Sequence, residues 1–410
     1  MAEKKNNNMG LIIIAAIIVI AAIFYFTQQK TTTVGKKQDI KVGIILGFTG
    51  PIESLTPAMA ASAELAFKEV SESGSLLSGS TITTERADST CVDSAAATTA
   101  AEGLVSGGVN AIMGADCSGV TGAIATNVAV PNGVVMISPS ATSPGLTDLD
   151  DKGFFFRTAP SDARGGQILA DITKDRGVSS VAITYTNNDY GKGLADVYEA
   201  SVKAHGISVT TVTSHEEGKA DYGAEVATLA AAGGDAVAVL GYLDQGGGMI
   251  IQGSLDSGAF DVFVLSDGMI GDSLTDRFGD DLNKSFGSLP GSTGKGAGLF
   301  ADVAKAGGID SSGPYTGESY DAAALISLAM QAGKSADRSS IQKNVMSVAN
   351  APGTKIYPGE LKKALDLLAE GKDVNYEGAT AVEFTDVGEA FGSFLEKEIK
   401  GGKFSTKQQR

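Results

Sequence analysis

Short runs of apolar and β-branched residues alternate with amphipathic stretches over most of the chain. The first strand-like runs lie at 40–47, 81–88, 110–115 and 134–141. The stretches between them carry apolar residues at helical spacing, at about 56–73, 93–107 and 119–130. Strands that alternate with helices are typical of parallel βαβ units, so this part of the chain is predicted to form a doubly wound sheet.

A second set of the same kind follows. Its strand-like runs lie at 154–160, 179–187, 208–216, 236–242 and 261–268. Its helical stretches lie near 162–175, 190–205, 222–232 and 246–257. After residue 290 the pattern is mainly helical, at 318–333 and 339–350, with one strand-like run at 379–386. Because too few strands remain for a third sheet, the pattern predicts an α/β fold of two doubly wound parallel-sheet lobes, joined by more than one chain crossing.

The N-terminal region has a different pattern. Residues 9–26 form an uninterrupted uncharged apolar run, close to the ~20 residues that span a bilayer, and a polar linker follows. The sequence lacks a convincing cleavage site, so a cleaved signal and an uncleaved anchor both stay open for residues 1–38. Either interpretation favours export, with membrane contact through this segment only.

Composition indicates a folded protein, and the charge argues against nucleic-acid binding. The 410 residues suffice for two domains, and 43% apolar and 20% charged residues are typical of a folded protein. The net charge is −16, from 48 acidic and 32 basic residues. Nucleic-acid binding depends on clustered basic residues, so no nucleic-acid partner is expected. An anionic surface favours a soluble monomer.

Several residues, most of them polar, lie just past the carboxyl ends of the predicted strands, where open parallel sheets bind ligands. Those of the first unit are Asp116, Cys117 and Ser118, followed by Ser140, Ala141 and Thr142. Those of the second unit are Tyr190, Tyr242 and Asp267. A carboxylate can pair with an ammonium, while hydroxyls and backbone amides can bind a carboxylate, so the set fits a small zwitterion. Each residue alone could instead be a helix cap, a turn residue or a packing residue.

Enzyme and metal functions find little support. The sequence contains no GxSxG, HExxH, GxxxxGK[ST] or GxGxxG motif, and its two histidines, His205 and His215, lie in segments where a solvated position is the simplest expectation. Neither a metal nor a cofactor is therefore expected, and Cys117 lacks the basic partner that a nucleophile needs. In an exported protein, the two cysteines, Cys91 and Cys117, are predicted to form a disulfide. An α/β hydrolase or transferase is the alternative from a different class.

Several segments together resemble the leucine/isoleucine/valine-binding proteins, the type I periplasmic solute receptors of ABC importers. They are "IKVGIILGFTGP", "CVDSAAATTAAEGLVSGGVNAIMGADCSG", "VVMISPSATSPGLTD", "FFFRTAPSD" and "YTNNDYGKGLA". The resemblance runs from Asp39 to Phe404 and implies two lobes that close on an amino acid, with hinge crossings near 158, 289 and 388. Lobe I would comprise 39–158 plus 290–388, and lobe II 159–289 plus 389–405.

The resemblance also implies roles for individual residues. Ser118 and Thr142 would hold the ligand carboxylate, the Ser140 backbone and the Thr142 hydroxyl would meet the ammonium, and Ala141 would lie beside them. Tyr190 and Tyr242 would close over the ligand from lobe II. Asp267 stands where the family has a glutamate that pairs with the ammonium, and Leu55 stands where an aromatic wall residue is common. The cysteine pair matches the family's disulfide.

The implied function is extracytoplasmic. The protein would bind an amino acid, branched-chain aliphatic by resemblance, and deliver it to the permease subunits of an ABC transporter. Its place would be the periplasm, with a tether to the inner membrane if the N-terminal segment is uncleaved. The alternative is a membrane-anchored receptor domain that senses amino acids or small amides.

Overall fold

Two β-sheets and the helices that connect their strands form the body of the protein in the computed structural model, which describes residues 37–410. The strands are β1 Asp39–Leu46, β2 Thr81–Asp88, β3 Ala111–Gly114, β4 Val135–Ser138, β5 Phe155–Arg157, β6 Ser180–Thr186, β7 Ser208–His215, β8 Ala236–Leu240, β9 Phe263–Leu265, β10 Phe286–Pro290, β11 Thr354–Ile356, β12 Val374–Tyr376, β13 Phe394–Lys400 and β14 Lys403–Gln409. The α-helices are α1 Thr56–Glu72, α2 Ser94–Ser106, α3 Ser118–Ile124, α4 Asp162–Asp175, α5 Asp189–Ala204, α6 Gly223–Ala232, α7 Gly246–Ser257, α8 Asp272–Phe278, α9 Lys295–Ala306, α10 Thr316–Ala332, α11 Arg338–Ala349 and α12 Leu361–Ala369.

The first sheet is five-stranded and parallel, in the order β2-β1-β3-β4-β5. Its central strands β1, β3 and β4 are apolar because helices cover them, and Val42, Ile44 and Ile112 are fully buried. The strand order reverses beside β1, and ligands of such sheets bind at the carboxyl edge of this reversal. The fold therefore places the segments that follow β1 and β3 beside each other.

The second sheet has seven strands in the order β14-β13-β10-β9-β8-β6-β7. The strands from β10 to β7 are parallel, and the C-terminal hairpin β13–β14 joins β10 antiparallel. Together with the first sheet, it confirms the predicted α/β fold of two doubly wound lobes.

Two predictions about strands were wrong. The run 154–160 was grouped with the second set, but only Phe155–Arg157 is a strand, and it pairs with β4 in the first sheet. The run 379–386 is not a strand and forms only an isolated bridge between Phe384 and Ala390. Its first residues are held instead by a buried side chain, because Asp321 accepts hydrogen bonds from the backbone amides of Ala379 and Thr380 (2.8 and 3.0 Å).

The chain passes between the two sheets three times: after β5, after β10 and before β13. These crossings fall beside the predicted positions at 158, 289 and 388. We propose the predicted lobe boundaries on this basis, with lobe II extended past residue 405 because β14 ends at Gln409. We use "lobe I" for the first sheet and its helices and "lobe II" for the second sheet and its helices.

The predicted disulfide is confirmed. Cys91 follows β2 and Cys117 follows β3, and their sulfurs are bonded across a sequence separation of 26 residues. Closing a loop of that length stabilises the fold by about 3 kcal/mol in the chain-entropy model. The bond joins two segments at the carboxyl edge of the first sheet, so it fixes the position from which α3 begins.

The apolar run 9–26, predicted as a signal or anchor, lies outside the described residues. Within residues 37–410, every helix is too short or too polar to cross a membrane.

Candidate functional site

A cavity lies between the carboxyl edges of the two sheets, and about 20 Å³ of it is open to the centre of a water-sized molecule. We call it the ligand pocket. The predicted residues that line it are Ser118, Ser140, Tyr190, Tyr242 and Asp267. The structure thus brings together side chains that are up to 149 positions apart in the sequence, from Ser118 to Asp267.

Ser118 and Ser140 form the polar side of the pocket in lobe I. Ser118 is the first residue of α3, and its hydroxyl oxygen accepts a hydrogen bond from the backbone amide of Ser143 (3.0 Å). The hydroxyl hydrogen of Ser118 remains free to donate. The Ser140 hydroxyl donates to the Asp116 carbonyl oxygen at 3.2 Å.

Ala141 and Thr142 do not line the pocket. Both are buried, and the Ala141 carbonyl accepts from Arg157 while the Thr142 carbonyl accepts from the Asp162 amide. They shape the loop that carries Ser140, and a ligand contact by either stays a prediction.

Arg157 stabilises the loop that carries Ser140 through hydrogen bonds to its backbone, a role that the sequence did not reveal. Its guanidinium, 1% exposed, donates to the carbonyls of Ala141 (3.2 Å) and Ser143 (2.9 Å). It also donates to the Thr147 hydroxyl (2.9 Å) and forms an ion pair with Glu389 at the third crossing. A planar guanidinium can meet several acceptors at once, so one side chain connects the loop to the hinge.

Asp267 is the principal charged group of the pocket. Tyr190 of lobe II donates to its Oδ1 atom at 2.6 Å, and Tyr315 of lobe I donates to its Oδ2 atom. Tyr315 is a second residue that the sequence did not reveal. It has a φ of 59° immediately before α10, an uncommon conformation for an aromatic residue. The Asp267 carboxylate is therefore fixed by phenols from both lobes.

Burial determines the charge of this region. It raises the pKa of Asp267, while the hydrogen bonds from the two phenols act in the opposite direction. A second buried carboxyl, Asp162 at the start of α4, has its pKa raised well above the usual range by burial and by the Asp267 charge. Two neighbouring buried carboxyls disfavour ionisation of both, so a cationic group would be stabilised here.

The stacked rings of Tyr190 and Tyr242 form the lobe II wall, with centroids 5.1 Å apart. Gly268 allows this packing, because a Cβ atom there would lie 2.5 Å from the Gly241 carbonyl oxygen and 3.1 Å from the Tyr190 hydroxyl. The Tyr242 hydroxyl is buried and has no hydrogen-bond partner among the described residues. It is positioned to donate or accept a further hydrogen bond.

Three aliphatic side chains form the remaining wall. Leu55 lines the pocket, as the resemblance implied, beside Ile52 and Met59. Asp116 also lines it, but its carboxylate already accepts from the amides of Gly47 and Cys117 and from Ser89 (2.5 to 2.9 Å). Asp116 therefore braces the loops, and Asp267 is the carboxylate suited to a ligand.

Hydrogen bonds connect the lobes at the pocket rim. Asp244 of lobe II accepts from the Ser54 amide of lobe I (2.9 Å), and its own amide donates to the Pro51 carbonyl (3.1 Å). Ser273 donates to Asp244 (2.8 Å) and lies 3.2 Å from the Ser54 hydroxyl. We call Ser54, Asp244 and Ser273 the rim contact.

The model of one protein family, described as periplasmic binding protein, matches residues 39–356. The chain belongs to this family, which is one of solute-binding proteins rather than enzymes, and the resemblance found in the sequence is confirmed.

Similar proteins carry related names. The chain is 30% identical over 210 residues to the Leu/Ile/Val-binding protein homolog 3 of Brucella melitensis, covering 51% of this chain and 56% of that one. The alignment thus spans little more than half of that relative. The chain is 27% identical over 307 residues to BasB, a chemotactic signal transduction system substrate-binding protein of Halobacterium salinarum, covering 73% and 71%. The solved structure of the leucine binding protein LivK from Thermotoga maritima has the same fold, with a TM-score of 0.75, 20% identity, and coverage of 90% and 98%.

Proposed function

We propose that the protein binds an aliphatic amino acid in the ligand pocket and delivers it to the permease of an ABC importer outside the cytoplasm. The observation that carries the proposal is the buried Asp267 carboxylate, held by Tyr190 and Tyr315 opposite the hydroxyls of Ser118 and Ser140. The names of the Brucella and Thermotoga proteins support the choice of ligand class.

The charges of the pocket suit a zwitterion. The ammonium of an amino acid would pair with Asp267, which favours the ionised form of that carboxyl. No lysine or arginine is among the pocket-lining residues of the described chain, so the ligand carboxylate would be bound by the Ser118 hydroxyl, whose hydrogen is free to donate. Charge-assisted hydrogen bonds of this kind contribute roughly 1.5–3 kcal/mol each.

The apolar wall suits an aliphatic side chain. Ile52, Leu55 and Met59 are each at most 7% exposed and offer no polar atom to a ligand side chain. A polar side chain placed against them would lose its hydrogen bonds with water. We therefore expect leucine, isoleucine and valine to bind more tightly than serine, asparagine or glutamate.

Binding would favour the arrangement in which both lobes contact the ligand. Asp267 belongs to lobe II, whereas Ser118 and Tyr315 belong to lobe I, so a ligand can meet all of them only when the lobes are together. Micromolar affinity corresponds to about −8 kcal/mol, which a few such hydrogen bonds and the buried aliphatic surface can supply.

Thermal shift and calorimetry with the full set of amino acids, small amides and short peptides test the proposal. A ligand at about 100 times its Kd adds about 2.7 kcal/mol to the free energy of unfolding, so binders raise Tm. We expect the aliphatic amino acids to give the largest rise. A protein that responds to amides or peptides but to no amino acid would contradict the proposal.

A signalling role is the second candidate, and the similarity to BasB favours it. Both roles need the same pocket, so they differ only in what the loaded protein contacts. Uptake of labelled leucine by cells with and without the protein separates them. Delivery predicts a loss of uptake, while signalling predicts unchanged uptake and a lost behavioural response.

The rim contact gives a further prediction. Replacing Asp244 by alanine removes the acceptor of the Ser54 and Ser273 hydrogen bonds. At roughly 0.5–1.5 kcal/mol in total for such exposed bonds, amino-acid affinity is expected to fall about 2- to 13-fold. Calorimetry with the tightest-binding amino acid measures this change in affinity. The matched control is Asp256→Ala on α7 of the same lobe, whose carboxylate accepts, among residues 37–410, only from Gln252 one turn away. Equal affinities of the two variants would contradict a role of the rim contact in closure.

A further inference from the structure

A second cavity lies where the second and third crossings pass the start of α10. About 220 Å³ of it is open to the centre of a water-sized molecule, and we call it the hinge cavity. Leu289 and the following crossing residues line one side, and Leu395 and Lys397 of β13 line another. Tyr315 lines both this cavity and the ligand pocket, so the two spaces share one side chain.

Glu318 is the acidic group of the hinge cavity. It lies in the first turn of α10 and is 4% exposed. Within residues 37–410, no hydrogen bond or salt bridge joins its carboxyl to another residue, and only its own backbone amide is near enough to donate. Burial, helped by the Asp321 charge, raises the pKa of Glu318 to about 8. A neighbouring cation would favour the ionised form.

Lys397 is the basic group of the same cavity. Its ammonium donates to the Thr406 hydroxyl at 3.0 Å, which uses one of its three donors. Among the described residues it forms no salt bridge, and burial lowers its pKa. The two remaining N–H groups of the ammonium can therefore donate to an anionic partner.

The two groups line one cavity without forming an ion pair with each other. They belong to different lobes, since α10 packs on α1 of lobe I and β13 is a strand of lobe II. The lining of the same cavity also includes the apolar residues Leu289, Phe300 and Leu395. A molecule that satisfies both groups has a cation at one end, an anion at the other, and a short aliphatic chain between.

We propose that the hinge cavity binds a short linear zwitterion, with its primary ammonium at Glu318 and its carboxylate at Lys397. Such a molecule contacts both lobes and therefore binds with an affinity that depends on how they are arranged. By linkage, its binding and amino-acid binding change each other's affinity by the same factor. This consequence for the ligand pocket rests on the proposed function, whereas binding in the hinge cavity does not.

The test uses 4-aminobutyrate as the probe with the full chain. At about 10 mM it is expected to raise Tm by about 1–3 °C through mass action. Butylamine and butyrate, which each lack one charge, are expected to give smaller shifts. No shift with 4-aminobutyrate in the wild-type protein would overturn the proposal.

Variants locate the site. Glu318→Gln and Lys397→Met are each expected to abolish the shift, while Lys403→Met, an exposed position on the same hairpin, keeps it. Asp267→Asn separates the two cavities: a shift that survives in Asp267→Asn and is lost in Glu318→Gln supports the hinge cavity. A shift that survives in Glu318→Gln, or is lost in Asp267→Asn, overturns it. The amino-acid panel decides the proposed function separately.

Discussion

Replacing Asp267 by asparagine is expected to weaken amino-acid binding about 100-fold or more, a loss of about 2.8 kcal/mol. The variant keeps an oxygen that can accept from one phenol, but it loses the charge that pairs with the ligand ammonium. It also loses the acceptor for the second phenol, since Tyr190 and Tyr315 occupy separate carboxylate oxygens. Calorimetry with the tightest amino acid measures the effect.

The fold of this variant should be retained. Asp267 is a buried carboxyl whose pKa is raised by that burial, so its charge does not stabilise the fold. Tm without ligand is therefore expected to stay within a few degrees of the wild-type value. Wild-type affinity in Asp267→Asn would exclude this residue as the ammonium partner.

The raised pKa of Asp267 also sets a pH dependence. Ammonium binding requires the ionised carboxylate, and the fraction ionised falls as the pH falls through the pKa. Affinity should thus decline on acidification, beginning at a higher pH than an ordinary aspartate would give. Asp267→Asn, which cannot ionise at 267, should show a flatter profile.

Replacing Arg157 by methionine is expected to lower the free energy of unfolding by about 3–5 kcal/mol, because it leaves Glu389 without its partner in a partly buried position. It also leaves the carbonyls of Ala141 and Ser143 without their donor. The loop that carries Ser140 is then held less firmly, so amino-acid affinity should fall as well. Urea unfolding and calorimetry measure the two effects.

The double variant Arg157→Met with Glu389→Leu separates stability from positioning. Replacing both partners of a buried ion pair by apolar residues is often close to neutral for stability. The double variant should thus recover much of the lost stability but not the affinity, since the loop carbonyls still lack their donor. Full recovery of affinity would show that Arg157 acts only on stability.

The two lobes and much of the pocket could be predicted from the sequence because the strands are strongly apolar and several of the pocket-lining residues follow them directly. Ser118, Tyr190 and Asp267 were found by this position alone. The hairpin β13–β14 was missed because charged residues hide its alternation: Glu396 is fully buried, compensated by Arg176 and Arg410. The sequence does not show that these distant arginines pair with Glu396, because the fold brings them together.

The two residues that the sequence did not reveal, Tyr315 and Arg157, contact residues that are distant in the sequence or contact backbone carbonyl groups. Tyr315 precedes a helix rather than following a strand, and it reaches Asp267 only because the lobes face each other. Arg157 lies within a strand and acts through carbonyl groups, which leave no pattern in the side chains. The role of each comes from long-range contacts, which a periodicity argument does not contain.

The left-handed backbone at Tyr315 has a cost that the burial of its ring outweighs. An aromatic residue in this conformation costs roughly 1–2 kcal/mol that glycine would not lose. Tyr315 is only 5% exposed, however, so glycine at this position would also remove a buried aromatic ring, at a cost of about 3–5 kcal/mol. Selection of variants for heat resistance alone should therefore keep a large side chain at 315 in spite of the unfavourable backbone.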